Sequence, residues 1–260
     1  MKICFAEIEP LLNRYLRDDA ASGVETIHTR SGERGGLLRL FLSGGSVVVK
    51  FWRIRNIKER FKAVTHISNG RREWRMHRLI HRAGVKVAEP LFFSRFFMPG
   101  LGPCEIMAIE DVGEVESGVA YLKRLITTGL DSEITSFEDR MIDTTIELLE
   151  LKILDMDNQL NNFLIDSTGR VIRVDFECAR RPCCFALRRR KYATMLERLL
   201  RSHLHAAYPE IERTKRFMAR VATRLSVPTD IRQMVIDISA KELTKENKQS
   251  GIGYASNLEW

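Results

Sequence analysis

No apolar run in the sequence approaches the roughly 18 residues that a helix needs to cross a bilayer, so a spanning helix is excluded. The opening, "MKICFAEIEPLLNRYLRDD", meets charge too early for a secretory leader, and a cytoplasmic protein is expected. The five cysteines, Cys4, Cys104, Cys178, Cys183 and Cys184, are odd in number and contain no C-x-x-C pair. Reduced, mostly structural thiols are therefore expected rather than a disulfide framework or a zinc knuckle. His77 and His81 are four apart, but the intervening "RLI" lacks the glutamate of a zinc-protease helix. Internal repeats and low-complexity tracts are also missing; only the stretch from Lys241 onward reads as a polar tail.

What is present is an ordinary globular composition, 44% hydrophobic and 29% charged, long enough to bury a core as one domain or as two lobes. The net charge of +8 is unevenly spread. Residues 50 to 95 carry thirteen Lys/Arg against three Asp/Glu, residues 105 to 157 four against fourteen, and residues 178 to 201 eight against one. Such blocks read either as solvated helix faces or as attraction to a polyanion: nucleotide phosphate, an anionic membrane surface or nucleic acid. Nucleic acid fits least, because no aromatic stacking signature accompanies the basic blocks and the middle is acidic.

After a short helical segment near Pro10 to Arg17, "VETIHTR", "LLRLFLSG" and "SVVVKFWR" read as three strands separated by the glycine turns "SGERGG" and "SGGS". A polar connection leads to "GRREWRMHRLIHRAG", where Met76, Leu79, Ile80 and Ala83 keep helical spacing. "VAEPLFFSRFF" and "CEIMAIEDV" add two strands, so residues 1–112 are expected as a five-stranded β lobe with one helix, followed by the linker "GEVESG". Residues 113–240 read as mainly helical, with "VAYLKRLI", "FEDRMIDTTIELLELKI", "YATMLERLLRSHL" and "TKRFMARVATRL", and residues 241–260 as the tail.

Between those helices lies "ILDMDNQLNNFLID". Phosphoryl transfer needs an aspartate that orients the attacking hydroxyl and, five residues later, an asparagine that ligates magnesium. Asp157 and Asn162 have that spacing, whereas Leu160 lies five beyond Asp155. The strands "NFLI" and "VIRVDF", joined by "DSTG", return Asp175 to where a second oxygen ligand belongs. Lys50 ends the run "SVVVK", and Glu73 shares the apolar face of its helix with Met76 and Ile80. A carboxylate on that face needs a cation, because an unpaired buried charge costs several kcal/mol, and Lys50 is the natural partner. Singly, Lys50 reads equally as an edge-strand lysine and Asp157 as a loop residue; the order of all five residues is what points to phosphoryl transfer.

This order resembles the protein-kinase-like fold over roughly residues 25 to 225, an α+β bilobal architecture. More narrowly, "VVVKFWR", "RREWRMHRLIHRAGVKVAEPLF", "DMDNQLNNFLID", "VIRVDFECAR" and "RRRKYATMLERLLRS" resemble the lipopolysaccharide core kinases, the Kdo and heptose kinase family of the Kdo/WaaP type. The resemblance implies ATP and magnesium as cofactors. It matches Lys50 and Glu73 to the phosphate-anchoring pair, Asp157 to the catalytic aspartate, and Asn162 and Asp175 to the metal ligands. It implies transfer to a sugar hydroxyl of the lipopolysaccharide inner core, with peripheral association of the protein at the anionic inner face of the inner membrane.

The sequence departs from the kinase pattern in three places. Asp155 stands where a histidine is usual, Glu177 replaces the glycine of Asp-Phe-Gly, and "SGERGG" offers Gly32, Gly35 and Gly36 as a phosphate-covering loop without the usual spacing. Two other readings stay open: a small atypical protein kinase, since "RAGVKVAEP" also resembles the RIO and Bud32 type, and an inactive pseudokinase binding module.

Overall fold

The computed structural model describes residues 5–15, 23–29, 35–98, 102–184 and 188–250. By internal packing the chain divides into two units, Met1–Gly113 and Glu114–Trp260.

In the first unit, β1 (Val24–Thr29), β2 (Gly35–Leu42), β3 (Gly45–Arg53), β4 (Pro90–Met98) and β5 (Gly102–Glu110) form an antiparallel sheet in the order β1-β2-β3-β5-β4. Alternation along β3 sorts its side chains. Val47, Val49 and Phe51 join Ile8, Leu12 and Tyr15 of α1 (Phe5–Tyr15) in one core. Trp52 packs instead with Met107 and Trp74, the last belonging to α3 (Asn69–Arg82). Ser68 caps α3 by accepting from the Arg71 amide at 3.4 Å. Its hydroxyl also donates to Glu105 Oε1 at 2.7 Å, and Arg95 Nε donates to the same oxygen at 3.0 Å. This buried polar cluster fixes where α3 begins relative to β4 and β5.

Among its described residues the unit has three helices: α1, which overlaps the short helical segment expected near Pro10 to Arg17, the expected α3, and one that was not expected. Between β3 and α3, the supposed polar connection contains α2 (Ile57–Val64). Asn56 Oδ1 accepts from the Glu59 amide at 2.9 Å, and Glu59 Oε2 accepts from the Arg55 amide at 2.6 Å, which starts the helix locally. Its apolar side chains face outward, so periodicity read as a burial signal passes over it.

The second unit is built on α4 (Gly118–Thr128), α5 (Asp131–Glu150), α6 (Arg189–Ala207), α7 (Ile211–Arg224) and α8 (Thr229–Ser250). Phe137, Met141, Leu196, Leu200, Phe217 and Val235 belong to its core. The stretch expected as a linker holds β6 (Val115–Ser117), which pairs with β8 (Phe163–Asp166), itself paired with β9 (Val171–Arg173). Residues 241–250, expected as polar tail, continue α8. Leu243 is buried and Glu246 pairs with Arg201, which also pairs with Glu197; these tertiary ties hold a polar sequence helical. Residues 251–260 lie outside the described residues.

The cysteine expectation changes. Cys104 is free and fully buried, and burial pushes its thiol up to about 11. Cys178, Cys183 and Cys184 are free but exposed, so core packing does not account for them. Cys4 lies outside the described residues.

Candidate active site

In the first unit, Lys50 leaves β3 on the face that α3 covers. Its Nζ donates to both carboxylate oxygens of Glu73, each at 2.9 Å, and the Glu73 side chain is 1% exposed. Two equal bonds to one carboxylate fix the direction of the ammonium. The Trp52 ring lies 5.3 Å away as a cation–π contact. One turn along α3, His77 Nε2 meets the Ala88 carbonyl at 2.7 Å, so that nitrogen carries the proton. Burial, opposed by this hydrogen bond and reinforced by the charges of His81 and Lys50, brings His77 down to about 4.

In the second unit, the segment 153–163 crosses from α5 to β8 on a scaffold of buried contacts. β7 (Leu154–Asp155) pairs with β10 (Ala179–Arg180), setting Asp155 opposite Ala179. Asn158 Nδ2 donates to Thr145 Oγ1 on α5 at 3.4 Å. The Leu160 amide donates to Ser202 Oγ on α6 at 3.0 Å. Gly118, at the start of α4, comes so close that a Cβ there would lie 2.6 Å from the Leu160 carbonyl oxygen. Any side chain at that position displaces the segment.

One of the residues that depart from the kinase pattern, Asp155, is the centre of this arrangement. Asp155 is fully buried and ion-paired through Oδ2 to Arg173, also fully buried. Its Oδ1 accepts from the Asp157 amide at 3.1 Å. Arg173 further donates to the carbonyls of Asn162 at 2.8 Å and Asp157 at 3.1 Å, and its guanidinium lies over the Phe163 and Phe176 rings. Burial pushes the Asp155 carboxyl up, against the pull of Arg173 and of the Asp157 amide. Asp155 thus holds the backbone of Asp157 rather than competing with it. Sequence reasoning missed Arg173 altogether; a lone arginine inside the apolar "VIRVDF" is the signal, because a buried cation demands a carboxylate.

Asp157 and Asn162 are brought together. Asn162 Nδ2 donates to the Asp157 carbonyl at 2.7 Å and to its carboxylate Oδ2 at 3.2 Å, and Gln159 Nε2 reaches the same carboxylate oxygen at 3.3 Å. The β8–β9 hairpin is extended by the Val174 amide bonded to the Asn162 carbonyl at 2.9 Å, which leaves Asp175 one residue beyond. Asp175 has φ of 59°, a left-handed conformation that side chains other than glycine adopt rarely and that concentrates at functional sites. Its Oδ1 accepts from the Glu177 amide at 3.3 Å. The donor set, a carboxamide oxygen and a carboxylate at one end of a hairpin, has the chemistry of a hard divalent cation such as magnesium.

The glycines are placed differently from expectation. Gly35 and Gly36 do not form a loop: they open β2, paired with Trp52 and Phe51 of β3. A Cβ on Gly35 would lie 2.2 Å from the Phe51 carbonyl oxygen, so the glycine serves a close strand approach. Gly32 lies outside the described residues.

No protein-family model matches the chain, and no curated protein matches it in sequence. In fold it is similar to a solved structure described as WaaP in complex with acyl carrier protein, with a TM-score of 0.57 and 16% identity over 91% of this chain and 92% of that one. At that identity the likeness is one of fold alone. The architecture is a mixed α/β chain with antiparallel sheets and several helices, consistent with a kinase-like fold.

Proposed function

We propose that the protein is an ATP- and magnesium-dependent phosphotransferase whose acceptor is a sugar hydroxyl of the lipopolysaccharide inner core, Kdo or heptose. The observation that carries this reading is the hydrogen-bonded pair of Asp157 and Asn162, with Asp175 held in a left-handed turn beyond the adjoining hairpin. Asp157 orients the attacking hydroxyl and accepts its proton at the carboxylate. Asn162 and Asp175 would hold magnesium, which when bound supplies charge neutralisation to the phosphates. The Lys50 ammonium, aimed by Glu73, pairs with nucleotide phosphate oxygens. Asp155, which in the sequence weighs toward an inactive module, has a structural task that leaves Asp157 to the chemistry.

The test is the mass of the core lipopolysaccharide from cells with and without the protein. The expected result is one phosphate fewer on the core when the protein is missing. Unchanged core together with ATP-dependent labelling of a protein favours the atypical protein kinase. Nucleotide binding that ignores magnesium, with no transfer at all, favours the binding module.

A further inference from the structure

Helix α2 is nearly all surface. Ile57, Phe61 and Val64 are 83%, 65% and 74% exposed, and Ile67, just beyond the helix, is 56% exposed. At 3.6 residues per turn the first three fall within about 60° of one another, forming one outward apolar stripe. Only Ala63 of the helix is buried, so α2 is held through a small contact while its largest side chains face water.

The charge around the stripe has one sign. Residues 53 to 62 contain Arg53, Arg55, Lys58, Arg60 and Lys62 against Glu59 alone, and Glu59 is engaged in capping. Lys58 and Arg60 flank the stripe on either side. Among the described residues, Lys58, Arg60 and Lys62 form no ion pair. At the start of the helix, Arg55, Asn56, Ile57, Lys58 and Arg60 line an open recess of about 630 Å³.

An apolar stripe bordered by lysine and arginine is the pattern of a helix lying in the plane of an anionic bilayer surface, its apolar side chains among the acyl chains and its cations at the lipid phosphates. A globular protein partner of ordinary surface does not explain the one-sided charge. We infer that α2 is a membrane-docking element that takes an anionic phospholipid surface, with Phe61 and its neighbours inserted and Lys58 and Arg60 at the headgroup phosphates. This is separate from the phosphotransfer reading, and its readout needs neither nucleotide nor acceptor.

The test is co-sedimentation of the full chain with vesicles of phosphatidylcholine alone or mixed with phosphatidylglycerol. The wild-type chain is expected to pellet with the anionic vesicles and to be released by salt. Phe61→Glu with Val64→Glu is expected to lower partition at least tenfold with unchanged circular dichroism and thermal unfolding, because both side chains are exposed. Lys58→Glu with Arg60→Glu is expected to remove the preference for anionic lipid. The inference is overturned if the wild-type chain ignores anionic vesicles, or if the Phe61/Val64 variant binds them as well as wild type. It is equally overturned if Arg188→Glu with Arg190→Glu abolishes binding while the α2 variants keep it, or if the stripe instead mediates a dimer that Phe61→Glu dissolves.

Discussion

Arg173 and Asp155 form an ion pair from which solvent is wholly excluded, both side chains being 0% exposed. The pair joins β9 to β7, and further hydrogen bonds from it run to Asp157 and Asn162, the two residues on which the proposed chemistry depends. Breaking such a pair by removing one partner leaves a buried charge uncompensated, at a cost of about 3–5 kcal/mol. Asp155→Ala is therefore expected to lose about that much stability in urea unfolding, and Asp155→Asn, which keeps an acceptor for the Asp157 amide, less. A variant within about 1 kcal/mol of wild type contradicts the structural role of the pair.

Lys50→Met removes two 2.9 Å bonds from a Glu73 carboxylate that is almost fully buried. Stability is expected to fall by a few kcal/mol, and Lys50→Met combined with Glu73→Leu to recover most of it. Phosphate transfer stays lost in both, since the double variant restores packing and not the ammonium. Recovery of activity in the double variant contradicts a role for Lys50 in holding phosphate.

His77 supplies a pH dependence. Its folded value of about 4 lies below the ordinary 6.5, so between these the unfolded chain holds a proton that the folded chain does not. The stabilisation from neutral His77 is complete above pH 6.5 and is lost progressively as pH falls toward 4, reaching on the order of 3 kcal/mol. His77→Gln, which keeps a donor for the Ala88 carbonyl but does not titrate, is expected to flatten urea-midpoint profiles over this range. A profile identical to wild type shows that some other group is responsible.

Asn162→Ala is expected to separate rate from folding. It removes two hydrogen bonds to Asp157, of about 1 kcal/mol each, while lowering the transfer rate about 100-fold. The magnesium concentration for half-maximal rate should rise, because one oxygen donor is gone. An unchanged magnesium requirement, measured by steady-state kinetics, argues against Asn162 as a ligand.

The strands and the long core helices were legible because their side chains alternate between core and solvent at periods the sequence displays. Lys50 and Glu73 could be paired in advance because a glutamate among Met76 and Ile80 on one helix face needs a cation. Asp157 and Asn162 were found by spacing alone. What resisted was structure whose reason lies elsewhere in the chain. α2 is apolar toward water, α8 is held by Arg201 and Leu243, and β6 is ordered by pairing with β8. Asp155 looked anomalous because its partner, Arg173, lies 18 residues on in another strand. The glycines near residue 35 looked like a loop because the closeness of the Phe51 carbonyl is invisible in one dimension.

The most direct test of the central claim is transfer of the terminal phosphate of labelled ATP to purified inner-core oligosaccharide by wild type and Asp157→Ala, with magnesium present and then chelated. The Asp157 carboxylate is part-buried and hydrogen-bonded only to Asn162 and Gln159 among the contacts described above, so the variant should stay folded and lose no more than about 2 kcal/mol. The account predicts magnesium-dependent labelling by wild type and a loss of at least about 100-fold in Asp157→Ala. Undiminished labelling by a folded Asp157→Ala protein contradicts it.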